Sequence, residues 1–292
     1  MPQTNASVSG IEILRGLQTY TLSKARASAR GYTRRVQKPV TALLATALSL
    51  LVATSVASCA PERTPFPEPT SSEASEPVAE SPSPTPTVAF DKTALSIDDP
   101  NSLWVIVNKL RPLNPADFKA PDLVDVPVPY VYAPMLRAEA SAAVVQMFAD
   151  FTAQTGLQMQ SQSAYRSYSA QVSTYNNWVS SLGQAGADLT SARPGYSEHQ
   201  TGLAIDISAS PASCSLDQCF ADTPQGQWLA ANAWTYGFVL RYPEGYTAIT
   251  GYEFEPWHYR YVGVELATEY HDTGATTLEE FFGLPAAPSY AG

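Results

Sequence analysis

Residues 60–89 constrain this chain most, because they lack the means to fold. They are rich in Pro, Ser, Glu and Thr and hold almost no large apolar side chains. Such a segment cannot bury enough surface to offset chain entropy, so it reads as a disordered or polyproline-like tether. A packed core is therefore confined to the chain from about Phe90 onward. About 30 tether residues could span roughly 90 Å at ~3.1 Å each.

The segment ahead of the tether, residues 1–59, reads as an export leader. Arg34, Arg35 and Lys38 stand just before Val40–Ser58, an uncharged stretch of mostly Ala, Leu, Val and Thr that ends in small residues. That order is the one an export signal uses. The stretch closes on Val56-Ala57-Ser58-Cys59, which resembles the lipobox of bacterial lipoproteins; the resemblance implies a lipid on Cys59 and attachment to a membrane. An uncleaved membrane anchor is the alternative, since 19 residues are just long enough to span.

Charge then separates leader from body. Residues 1–38 hold seven Lys or Arg and one acid. Removing them from 17 basic and 27 acidic residues leaves ten and 26, a formal charge of −16 for 39–292. A body so acidic argues against a nucleic-acid partner and against docking on anionic lipid through its side chains. Of the three cysteines, a lipidated Cys59 leaves Cys214 and Cys219, a pair suited to a disulfide outside the cytoplasm.

The folded body is expected over 90–285, with 286–292 as a tail. Residues 101–135 mix apolar runs with Pro-rich loops and should wrap the core in extended form. Leu136, Ala140, Val144, Met147, Phe148 and Phe151 share one face of a helix over about 136–154, with Gly156 as its stop. A strand follows from Leu157 toward Arg166, then a second helix over about 170–182 that ends at Gly183. Leu203, Ile205 and Ile207 alternate with Ala204, Asp206 and Ser208 as a strand. Thr223-Pro224 opens a third helix by cap and N1 chemistry, and Gly237 closes it. Phe238–Tyr242 and Trp257–Val262 alternate as two more strands. No Gly-rich strand-to-helix turn supports a nucleotide fold. The pattern fits a small α+β domain with a mostly antiparallel sheet flanked by helices.

The chemistry gathers around two of the three histidines, in Ser197-Glu198-His199-Gln200-Thr201-Gly202-Leu203-Ala204-Ile205-Asp206 and in Glu253-Phe254-Glu255-Pro256-Trp257-His258. Two imidazoles and one carboxylate can hold a zinc ion and leave a fourth position open, as catalytic zinc requires. Asp206, set in an apolar strand, is costly there unless it is paired or binds metal. Glu255 is the candidate general base. By spacing alone, a buried polar cluster accounts for these residues equally well. His271, in Glu269-Tyr270-His271-Asp272, reads as part of a solvated helix face. Arg193 could order its loop or touch substrate.

The full strings decide more than the spacing does. Ser-x-His-x-x-Gly-x-Ala-x-Asp, followed some 50 residues later by Glu-Pro-Trp-His, closely resembles the signature of the VanY-type D-alanyl-D-alanine carboxypeptidases. Ser163-Ala164-Tyr165-Arg166-Ser167, Gln171 and Asn232–Phe238 match as well, and the resemblance covers about 100–265. It implies the small zinc fold shared by Hedgehog-like proteins and D-Ala-D-Ala peptidases, with one zinc on His199, Asp206 and His258. It implies Glu255 as general base and then acid, and Arg166 as stabiliser of the charge that develops on the scissile carbonyl. It puts Gln171, Ser197, Tyr252 and Trp257 along the substrate.

The expected partner is a peptidoglycan stem peptide, met by a monomer outside the cell membrane. An L,D-carboxypeptidase or a wall endopeptidase would use the same site. A zinc-stabilised wall-binding module would need neither Glu255 nor Arg166, and an adhesin independent of zinc would require the motif to be accidental.

Overall fold

The computed structural model describes residues 89–291; the leader, Cys59 and nearly all of the tether lie outside them. The chain enters through irregular structure and a short antiparallel pair, β1 (Leu123–Asp125) with β2 (Met135–Arg137). The run Trp104-Val105-Ile106-Val107 is apolar on both sides because it borders two cores. Val105 and Val107 join the larger cluster, Trp104 and Ile106 the smaller.

Helix α1 (Ala138–Thr155) forms on the predicted apolar periodicity but starts later than expected, because Leu136 is buried from strand β2 instead. Ala140, Val144, Met147, Phe148 and Phe151 are all buried in the larger core. Gly156 ends the helix in the left-handed region, its N–H bonded to Thr152 O at 2.9 Å, as a C-terminal glycine does. Each such large apolar side chain, fully buried, contributes about 1.5–3 kcal/mol.

The main sheet has four strands in the order β3-β4-β6-β5, every neighbour antiparallel. They are β3 (Gln158–Ser163), β4 (Ala204–Ser210), β5 (Phe238–Leu240) and β6 (His258–Tyr261). Strand alternation assigns the faces. Leu203, Ile205, Ile207, Phe238, Tyr259 and Tyr261 belong to the larger core with α1. The opposite face carries Asp206, His258 and Arg260, all buried. Over that side lie Val239, α5 (Val264–Asp272) and α6 (Leu278–Phe281), which form the smaller core.

Helix α2 (Tyr168–Thr190) is two helical runs joined at a glycine. Gly183 leaves helical geometry (φ 70°, ψ 168°), as its position predicts, but the chain then resumes its helix and runs on to Thr190. Gly183 thus ends the first helical run where expected; what the sequence reading lacked is the second run behind it, in which Ala187 is buried. Helix α3 (Pro224–Asn232) starts as predicted, with the Thr223 hydroxyl accepting the Gly226 N–H. A 3₁₀ turn, Ala233–Tyr236, leads to Gly237, and a short α4 (Thr247–Thr250) precedes the second motif.

The tail is also more than a tail. Ala287 is fully buried and its N–H bonds to Ile249 O at 2.7 Å. Tyr290 packs edge-on against Tyr196, and its hydroxyl accepts the Arg193 N–H at 2.8 Å. Composition gave no sign of this docking, which depends on single residues. Cys214 and Cys219 are joined as a disulfide, with Cα atoms 5.5 Å apart, in the loop after β4.

Candidate active site

Antiparallel register sets the centre of the site. Asp206 on β4 lies directly opposite His258 on β6, and directly opposed residues present their side chains on the same face. His199 comes from the 3₁₀ turn Glu198–Thr201 just ahead of β4. Gly202 ends that turn at φ 70°. A Cβ at Gly202 would press on Leu123 Cδ2 at 2.7 Å and Arg137 Cγ at 3.2 Å, side chains that can give way, so it is the left-handed conformation that favours glycine here. The motif's glycine thereby brings the His199 ring edge-on against that of His258, centroids 5.0 Å apart.

Hydrogen bonds decide which nitrogen of each ring is available. His199 Nδ1 lies 2.7 Å from Ala164 O. A carbonyl only accepts, so Nδ1 carries the proton and the lone pair sits on Nε2, which is 3.3 Å from Asp206 Oδ2. His258 Nε2 faces the Glu198 carboxylate at 3.3 Å, which leaves Nδ1 3.1 Å from Asp206 Oδ1.

One ligand atom from each of His199, Asp206 and His258 lies within 4.8 Å of the other two, all three residues buried. Asp206 Oδ1 makes no hydrogen bond although it is buried; its approach to His258 is close but not hydrogen-bonded. Such an oxygen is costly without a partner. Two lone pairs and a carboxylate converging around it suit a divalent cation of the zinc type.

The charges agree. Burial by itself raises the Asp206 carboxyl, but His199 and His258 outweigh it and hold it well below the usual range. Burial likewise pulls the His258 imidazole down, while Asp206 and Glu198 more than reverse this and favour a second proton on the ring, whose place at Nδ1 a bound cation would take. The site is built to hold positive charge.

The Glu255 carboxylate approaches His258 Nδ1 to 3.8 Å from three residues upstream. The bend is closed by the His258 N–H donating to Glu255 O at 3.1 Å, and the Glu255 N–H donates to Tyr242 O at 3.0 Å. Arg166 arrives from the loop after β3; its N–H donates to His199 O at 3.1 Å. Its guanidinium donates to Ser163 Oγ at 2.8 Å and to Gln171 Oε1 at 3.0 Å. Burial lowers its pKa, and the charges of Asp206 and Glu255 act against that.

The remaining residues singled out in the sequence lie around this centre or away from it. Gln171 is fully buried and both ends of its amide are engaged, Oε1 by Arg166 and Nε2 by Ala192 O at 2.6 Å and Ser191 Oγ at 3.2 Å. It holds the Arg166 guanidinium, and both N–H groups of its amide are committed to protein acceptors. Trp257 belongs to the larger core, because the residue beside a site histidine on a strand points to the other face. Tyr252 packs at a tilt against Tyr242, which in turn packs on His258, centroids 4.8 Å apart. Ser197 is buried at the start of the histidine turn. Arg193 pairs with Asp188 at 2.9 Å and lies over the Tyr290 ring, contacts that order its loop. His271 is exposed and stacks on Trp234.

Sequence reasoning missed Glu198, Arg241 and Arg260, all fully buried beside the site. A signal was present. Arg260 sits between two core tyrosines as Asp206 sits between two isoleucines, and the same argument about a charge in an apolar strand covers both.

Three converging metal-type ligands, a carboxylate beside them and a guanidinium nearby, on a mixed sheet-and-helix domain, are the equipment of a metallopeptidase. Comparison narrows the class. Residues 133–264 match the family model for VanY, D-alanyl-D-alanine carboxypeptidase. The chain is 40% identical to YodJ of Bacillus subtilis, a putative carboxypeptidase by name, over 192 residues, 64% of this chain and 69% of that protein. It is 42% identical to the D-alanyl-D-alanine carboxypeptidase of Enterococcus faecalis over 104 residues, 36% of each.

Among solved structures, the LdcB LD-carboxypeptidase aligns with a TM-score of 0.58 and 39% identity, over 63% of this chain and 87% of that one. VanYB in complex with D-alanine-D-alanine aligns at 0.52 and 31%, over 62% and 97%. A mutant VanY D,D-pentapeptidase in complex with Zn(II) aligns at 0.51 and 31%, over 62% and 98%. The chain belongs to the VanY family of D-alanyl-D-alanine carboxypeptidases.

Proposed function

We propose that this chain is a zinc-dependent carboxypeptidase that removes the C-terminal D-alanine from peptidoglycan stem peptides. The observation that carries this reading is the buried convergence of His199, Asp206 and His258 beside Glu255 and Arg166. His199, Asp206 and His258 would hold one zinc ion, which when bound polarises the scissile carbonyl and makes water a nucleophile near neutral pH. Glu255 takes a proton from the attacking water. The water oxygen bonds to the penultimate carbonyl carbon, and Arg166 donates to the oxygen that gains charge. As the C–N bond breaks, Glu255 returns the proton to the departing amine. Gln171 and Ser163 hold the Arg166 guanidinium in place for this.

A second reading has a specific observation behind it. The LdcB structure shares more identity with this chain than VanYB does, 39% against 31%, and its activity is L,D. Defined stem peptides separate the two. A pentapeptide ending in D-Ala-D-Ala should lose one D-alanine, lose reactivity after chelation and regain it with zinc. Cleavage of only the tetrapeptide ending in L-Lys-D-Ala would move the assignment to the L,D class. Cleavage of neither, nor of a cross-linked stem, would replace the enzyme with a wall-binding module.

The lipobox-like Cys59 and the tether support a place for the enzyme on the outer face of the cytoplasmic membrane, reaching into the wall. Cys59→Ala should release the protein from membranes or block its processing. Unchanged membrane retention with the leader intact would favour a transmembrane anchor.

A further inference from the structure

The 3₁₀ turn that carries His199 also carries Glu198, whose side chain is fully buried. Its two carboxylate oxygens are divided between two tasks. Oε2 faces His258 Nε2 at 3.3 Å. Oε1 accepts from Arg241 Nε at 2.9 Å and from Arg260 Nη1 at 3.0 Å.

Each guanidinium is anchored again on its far side. Arg241 makes two bonds to Glu279 of α6, at 2.7 and 3.0 Å, and Asn108 donates to that same carboxylate at 2.9 Å. Arg260 donates to Leu103 O, Val105 O and Tyr261 O. The arginines and glutamates bring two positive and two negative charges, with no side-chain exposure at any of the four.

Burying four charges is not an economical way to stabilise a fold; well-packed apolar side chains in their place often do as well or better. What this quartet does is hold one carboxylate in one pose, with its free oxygen on a metal-type histidine. An ionised carboxylate only accepts, so the facing His258 Nε2 must carry a proton. Nδ1 is then the atom with the lone pair, and it is the one turned toward Asp206.

We propose that Glu198 is a positioning residue of the metal centre: it fixes the tautomer and orientation of His258, and Arg241, Arg260 and Glu279 lock it in place. One turn of chain thus supplies both a ligand, His199, and the group that orients a second ligand, His258. This rests on the reading of the site as a zinc centre.

Glu198→Gln preserves shape and removes the charge. Zinc affinity, measured by competition with a chromophoric chelator, should weaken by about 10–100-fold, the usual effect of losing an outer partner of a ligating histidine. The d–d spectrum of the cobalt-substituted protein should shift with it, while far-UV circular dichroism stays unchanged. Folded Glu198→Gln that binds zinc as the wild type does would overturn the proposal and leave the zinc reading intact. Wild-type protein that binds no zinc would instead remove the reading on which it rests. If the variant does not fold, ¹⁵N spectra of the zinc-loaded wild type decide: a protonated, hydrogen-bonded Nε2 on His258 supports the proposal, and a zinc-bound Nε2 refutes it.

Discussion

Glu255→Ala should leave about one zinc per chain and remove nearly all peptidase turnover. The side chain is not among the three ligand donors; its carboxylate stands 3.8 Å from His258 Nδ1, beside the cluster and not within it. Removing it spares the ligand set while taking away the group that accepts and returns the proton. General-base assistance is typically worth ~10²–10⁴-fold, and the loss falls on kcat, because the carboxylate acts on water and not on the peptide. The bend that carries it is closed by main-chain bonds from His258 to Glu255 and from Glu255 to Tyr242. Alanine can make both, so the fold should survive. Metal content by elemental analysis and turnover of a stem peptide form the check. Near-normal turnover would show that Glu255 has another role.

His258→Ala should behave differently in one respect: metal is lost together with activity. Losing an outer partner alone weakens metal binding about 10–100-fold, so losing a ligand should weaken it by more than ~100-fold, and two donors hold zinc poorly. The substitution also deprives Glu198 Oε2 of its partner and leaves Asp206 facing His199 alone. Some loss of stability is therefore expected as well, and binding should be measured on protein shown to be folded. A His258→Ala protein that retains zinc at wild-type affinity would exclude His258 as a ligand. The contrast between the two variants, one keeping metal and one losing it, distinguishes a catalytic centre from a zinc that only stabilises a binding module.

Local elements were legible wherever a single periodic pattern was unopposed. The α1 stripe from Ala140 to Phe151 with Gly156 behind it, the Thr223-Pro224 start of α3 and the alternation through Ile205 and Ile207 each produced the element expected. Boundaries were harder. Gly183 breaks helical geometry as a glycine can, yet whether the helix resumes depends on a buried place for Ala187, which the local sequence does not reveal. Gln171 was placed along the substrate because it matches a position that lines the peptide pocket in the family the chain resembles. The structure gives both ends of that amide to protein partners, and an amide satisfied on both sides cannot be told from a free one by reading the chain.

The sequence by itself determined the chemistry this protein can offer. His199, Asp206, Glu255 and His258 stand in strings specific enough to point to one family, and a carboxylate set among isoleucines has to find a cation. Tertiary structure alone decided which atoms do the work. Strand register puts Asp206 opposite His258, Ala164 O selects Nε2 of His199, and Glu198 selects Nδ1 of His258. It also decided that Arg241, Arg260 and Glu279, spread over about 80 residues from Glu198, close into one neutral buried quartet. The reason is physical. Residue identity sets which groups can donate, accept or ionise, but the strength and direction of a buried charge's interactions depend on separations of a few ångströms between segments that the chain order leaves far apart.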